Sequence, residues 1–139
     1  DPKNYTHFWK TKKTTKEMGL FFENNKIVSL NQKPFEKENL RLDIFKIENT
    51  KDPLSSFIQI LKGAETSLVV DGRRFYTMSA VNLNDVNQIS INLDNYSNLW
   101  ADHKRSKFEK IAFEVDNEDL LPNKIYIYFD GRVFIVEEI

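Results

Sequence analysis

Two histidines, His7 and His103, are the side chains best suited by type to proton transfer or metal binding. They lie in unrelated segments, and neither has a carboxylate or second histidine at metal-ligand spacing, so both read as ordinary imidazoles. Carboxylates crowd into "EVDNED" (114 to 119) as Glu114, Asp116, Glu118 and Asp119. Oxygen donors of that kind suit calcium, but the stretch lacks the turn glycine and distal glutamate of an EF-hand loop. It reads as a solvated turn. The serines have no adjacent base and no G-x-S-x-G setting. Four glycines, widely spaced, build no phosphate-cradling loop, and the absence of cysteine removes disulfides, thiolate metal sites and thiol nucleophiles. The expectation is a protein with no catalytic residue, no metal and no cofactor. A hydrolase whose carboxylates converge only on folding stays open, because such a pair is defined by its separation in space.

Binding is the remaining class of function. The basic run "DHKRSK" (102 to 107) places Lys104, Arg105 and Lys107 near Trp100, and reads as a charged turn. Twenty basic and twenty-one acidic side chains give a net charge of −1, which supplies no general pull toward nucleic acid or an anionic membrane. Two sequons, at Asn4 and Asn95, are chance matches in so Asn-rich a chain. The stretch 31 to 39 is different. Pro34 and Phe35 stand among Lys33, Glu36, Lys37 and Glu38, a rigid residue and a large ring in a charged loop. Proline lowers the entropy lost when a partner holds a loop, a ring supplies contact area, and charges form a rim. Alternatively, Phe35 folds back over the body of the protein.

The elements around that loop follow from periodicity. At 139 residues and 40% hydrophobic content the chain suits one domain, which hides roughly two-thirds of its unfolded surface. Eleven Phe and five Tyr against four Gly favour a packed β-rich core. Residues 1–17 read as a solvated leader, or as a tether anchored by Tyr5, Phe8 and Trp9, and residues 18–139 as the domain. Residues 18 to 30 hold a first strand with "ENNK" as a turn or bulge. Leu40, Leu42 and Ile44 alternate with Arg41 and Asp43, which predicts a strand over 40 to 48. Next comes a helix. Asp52 caps it, Pro53 opens it and Gly63 ends it, with Leu54, Phe57, Ile58 and Leu61 as the apolar face.

Strand patterns then resume. Asp71-Gly72 and Asp130-Gly131 signal type I′ hairpins. Residues 87 to 93 and 106 to 115 read as strands, and Val133 to Val136, apolar without a break, as a strand buried on both sides. The expected fold is mainly β: a two-sheet β-sandwich of seven to eight strands with one short inserted helix. No run approaches the length of about 20 apolar residues needed to cross a bilayer as a helix. Asp1 rather than Met at the start suggests a processed chain, as removal of a signal peptide or of a lipidated cysteine would leave. A cytoplasmic fragment would leave the same start.

Strand, polar loop, "LRLDIFKIEN", helix "DPLSSFIQIL" and a β-only remainder closing with "NKIYIYFDGRVFIVEEI" resemble the outer-membrane lipoproteins of type VI secretion, the TssJ (SciN) family. The resemblance spans roughly residues 20 to 139 and lies in order and pattern, with no single diagnostic motif. It departs from the family at the Asp71-Gly72 hairpin and over 95 to 107, and the lipid-bearing cysteine is not in this chain. The resemblance implies a transthyretin-like sandwich without enzymatic activity. It implies a lipid anchor upstream of Asp1, at the periplasmic face of the bacterial outer membrane. The implied partner is the periplasmic domain of a TssM-like inner-membrane protein, not a nucleic acid. Family docking uses the loop between the first two strands, here Gln32, Lys33, Pro34, Phe35, Glu36, Lys37, Glu38 and Asn39. The competing expectation is a sandwich that binds a small ligand or carbohydrate through Trp100, Tyr96 and Tyr128.

Overall fold

The computed structural model describes residues 2–34, 39–83, 88–102, 105–115 and 122–137. It is mainly β, with two sheets and one short helix. The first sheet is an antiparallel meander of β1 (Asn4–Lys10), β2 (Thr15–Glu23) and β3 (Lys26–Lys33). Asn24 and Asn25, at φ 49° and 59°, make the β2–β3 turn, which needs positive φ at both central positions. Residues 4–10 of the stretch read as a leader are therefore a paired strand, and residue 17 falls inside β2.

The second sheet has seven strands. After β4 (Thr50–Lys51) and the helix α1 (Pro53–Leu61) come β5 (Thr66–Asp71), β6 (Arg74–Leu83) and β7 (Gln88–Asn98). Then follow β8 (Phe108–Val115), β9 (Pro122–Phe129) and β10 (Arg132–Glu137). They run β10-β9-β8-β7-β6-β5-β4, antiparallel except for β4 beside β5, whose parallel pairing requires the crossover that α1 provides. The described residues thus form ten strands rather than seven or eight.

Three layers meet at one end of this large sheet. Met18, Leu20, Phe22 and Ile27 of the small sheet pack against Val70, Leu99 and Trp100. On the opposite face, Ile60 of α1 packs with Val69, Tyr76, Met78, Ile91 and Phe113, and Phe57 meets Phe113 edge-on with ring centroids 5.4 Å apart. Adjacent Val69 and Val70 point into different cores, so the apolar run in β5 is covered on both sides.

The helix starts where expected. The Asp52 carboxylate accepts from the N–H groups of Leu54 (3.0 Å) and Ser55 (3.1 Å), and Pro53 occupies the first turn. Its buried side keeps Phe57 and Leu61 of the expected face against the core and is rotated away from Leu54 and Ile58. Ser56 and Ile60 are buried, the Ser67 hydroxyl donates to Ser56 at 2.9 Å, and Leu54 and Ile58 are exposed.

The strand expected over 40 to 48 is absent. Residues 40 to 49 cross from one sheet to the other through a 3-10 turn at Ile44–Lys46. Leu40, Leu42 and Ile44 all join the inter-sheet core, so their alternation reflects one-sided burial of a linking segment. The second hairpin is also displaced by one residue. Asp71 pairs with Arg74, which makes Gly72-Arg73 the turn, and only Gly72 has positive φ (57°). Asp130-Gly131 is central in its turn as expected, with φ 50° and 72°. Lastly, Val133 to Val136 are exposed rather than buried, because neither α1 nor the small sheet reaches the β10 edge.

Candidate functional site

Strand alternation sets Tyr5, His7 and Trp9 on one face of β1, and that face meets the β5–β6 turn. The Tyr5 hydroxyl donates to Asp71 Oδ1 at 2.6 Å and lies 3.3 Å from His7 Nδ1. His7 Nδ1 is 3.4 Å from the same carboxylate oxygen, and the Tyr76 hydroxyl donates to Asp71 Oδ2 at 3.5 Å. The His7 ring lies over Gly72 so closely that a Cβ there would sit 2.9 Å from it. Glycine is required twice, for its φ and for this approach.

Burial, and then the bond to the Asp71 carboxylate, holds the Tyr5 hydroxyl well above its ordinary pKa. Burial does the same at Tyr76, with the charge of Asp71 next. Both phenols stay protonated donors near neutral pH. The Asp71 carboxylate is correspondingly occupied by structural bonds.

Beside this joint lies an open cleft of about 490 Å³. Lys16, Lys33, Arg73 and Arg74 line it, against the carboxylates of Glu17 and Asp71. Trp9 and Tyr96 add ring faces. A bulge in the β6–β7 pairing at Tyr76, with Asn95 at φ 54°, sets the local geometry from which Tyr96 projects. The Arg73 guanidinium rests 4.7 Å from the centre of the Trp100 ring, and Lys16 Nζ lies 6.0 Å from that of Trp9. No serine, threonine or cysteine lines the cleft among the described residues, and none of their His, Asp and Glu side chains gather as a metal site.

The loop singled out in the sequence is split by this geometry. Gln32 and Lys33 belong to β3, paired with Met18 and Glu17, and they line the cleft together with Pro34. Asn39 is exposed and does not line it. Phe35, Glu36, Lys37 and Glu38 lie outside the described residues, as do His103, Lys104 and residues 116 to 119. The three rings of the ligand reading are dispersed. Tyr96 lines the cleft, Trp100 is buried, and Tyr128 lies on β9 with Lys110 Nζ 4.6 Å from its ring centre. The sequence reading missed His7 with Asp71, and Arg73 with Arg74, because no local spacing joins β1 to the β5–β6 turn. No protein-family model, curated protein or solved structure matches this chain.

Proposed function

We propose that the protein is a non-enzymatic docking protein whose cleft beside β3 receives an acidic segment of its partner. One observation carries this reading. Lys16, Lys33, Arg73 and Arg74 line a single concavity in which one of the two carboxylates, Asp71, is already engaged by Tyr5 and Tyr76. Clustered cations attract carboxylates or phosphates, and the faces of Trp9 and Tyr96 supply apolar contact beside them. Gln32, Lys33 and Pro34, the first three residues of the Gln32 to Asn39 stretch read as a docking loop, line the same cleft.

The role implied by the type VI resemblance, an adaptor for a TssM-like protein at the outer membrane, is one form of such docking. Part of that resemblance lay in a strand over Leu40 to Ile47 that the fold does not form, so the proposal rests on the cleft. A small anionic ligand is the second reading, favoured by a volume within the usual range for small-molecule sites, roughly 300–1,000 Å³.

Tryptophan fluorescence tests both readings, because Trp9 is half exposed in the cleft while Trp100 is buried. The probes are an oligo-glutamate peptide, a neutral peptide of equal length and a simple dicarboxylate. Saturable change with the acidic peptide alone, weakened by salt, is the expected result. Lys33→Ala and Arg74→Ala should each weaken it roughly 2–5-fold. Saturation by the dicarboxylate as tightly as by the peptide would transfer the site to a small ligand. No response to either acid would remove the cleft as a docking site. Calorimetry against the periplasmic region of a TssM-like protein, with wild type and Phe35→Ala, tests the adaptor setting.

A further inference from the structure

We infer that the protein self-associates as a two-fold dimer through β10, whose open edge pairs antiparallel with β10 of a second copy. β10 is the outermost strand of the large sheet, and all six of its residues are exposed. Four consecutive ones are apolar: Val133 (50%), Phe134 (51%), Ile135 (58%) and Val136 (54%). Alternation places Phe134 and Val136 on the α1 side, opposite Ile127 and Ile125 of β9. Val133 and Ile135 lie on the other side, opposite Tyr128 and Tyr126. A partner resting on one face of the sheet would meet only half of these side chains. A strand added in the plane of the sheet meets all of them.

Edge strands are ordinarily guarded by inward charge, proline or a bulge. β10 has none of these within its apolar run, and its register with β9 is unbroken. Its backbone defines what can pair with it. The two-residue turn makes Phe129 and Arg132 the hydrogen-bonded closing pair, so Arg132, Phe134 and Val136 direct their N–H and C=O groups at β9. Those of Val133, Ile135 and Glu137 point to the open edge. An antiparallel partner centred on Ile135 satisfies all three residues, pairing Ile135 with itself and Val133 with Glu137 of the other copy. Phe134 then lies opposite Val136 of the other copy.

Charge selects this orientation and this occupant. The strand is basic at one end (Arg132) and acidic at the other, where Glu137 also lies 3.6 Å from Lys124 Nζ of β9. Antiparallel pairing therefore brings unlike ends together, with the two side chains on opposite faces of the sheet. Parallel pairing would oppose like charges. A two-fold axis also consumes both open edges, which closes the assembly at two copies. The opposite edge strand, β4, has two residues and is too short to template further growth.

Sedimentation equilibrium of the full chain tests the inference, with hydrogen exchange as a readout that needs no variant. The expected result is a dimer in the micromolar range, with the Val133, Ile135 and Glu137 amides protected more as concentration rises. Ile135→Lys places two ammonium groups at the axis and should raise the dissociation constant at least about tenfold. Mixing Ile135→Lys with Ile135→Glu should restore a heterodimer, which excludes simple misfolding. Wild type that stays monomeric, or edge amides that exchange freely at every concentration, would overturn the proposal. So would Ile135→Lys that dimerises as tightly as wild type.

Discussion

Tyr5, His7, Gly72 and Asp71 form the joint that holds the small sheet against the β5–β6 turn, and each can be probed alone. Tyr5→Phe removes one half-buried hydrogen bond to a carboxylate and should cost about 1–2 kcal/mol in urea denaturation. Gly72→Ala meets two penalties, a left-handed backbone and contact with the His7 ring, and should cost about 1–3 kcal/mol. Gly131→Ala, also at positive φ but with open space around it, should cost less, about 1 kcal/mol. The two phenols, Tyr76 buried and Tyr5 half-buried, also predict an alkaline limit. Their folded pKa values are raised above the ordinary 10.0, so the folded state binds these protons more tightly than the unfolded chain. Their contribution is complete below pH 10 and is lost as pH rises above it. Denaturation midpoints measured above that pH should fall, and less steeply in Tyr76→Phe. None of these partners adjoins another in sequence except Asp71 and Gly72, and for that reason the joint was illegible there.

At the scale of elements, α1 was legible at both ends and not in its rotation. Its cap depends on Asp52 alone, so Asp52→Ala should cost about 1 kcal/mol. Of Leu54, Phe57, Ile58 and Leu61, which have ideal helical spacing, Phe57 and Leu61 pack on the core while Leu54 and Ile58 are exposed. The helix turns Ser56 and Ile60 fully inward, toward the Ser67 hydroxyl and Val69. Thermal unfolding should therefore separate the two faces. Ile60→Ala is expected to cost about 2–4 kcal/mol, whereas Leu54→Gln should change stability by less than about 0.5 kcal/mol. Equal losses at both positions would mean that the helix faces the other way. The segment from Leu40 to Ile44 teaches a related lesson. Alternating burial marks a strand only when a neighbouring strand pairs with its backbone, and here the segment links two sheets without such a ladder.

For the molecule as a whole, the decisive feature is unequal layers. A small sheet packs near the β5 end of one face of a seven-stranded sheet, the core under a nine-residue helix reaches Phe113 of β8 and Ile125 of β9 on the other, and β10 extends beyond both. If the open edge is shared between two copies, folding is linked to association, and the denaturation midpoint should rise with protein concentration. A midpoint independent of concentration would argue for a monomer. Sequence alone determined the β-rich class, the cap and first turn of α1, the Asp130-Gly131 hairpin and the strands on either side of it. Those features depend on intrinsic φ preference and local period, which each short segment carries by itself. Only the tertiary structure decided that residues 4–10 pair as a strand, that Val133 to Val136 face solvent, and that Lys33 and Pro34 share a cleft with Arg73 and Arg74. Burial and charge clustering depend on which layers cover which strands, and that is settled by contacts between segments far apart in the chain.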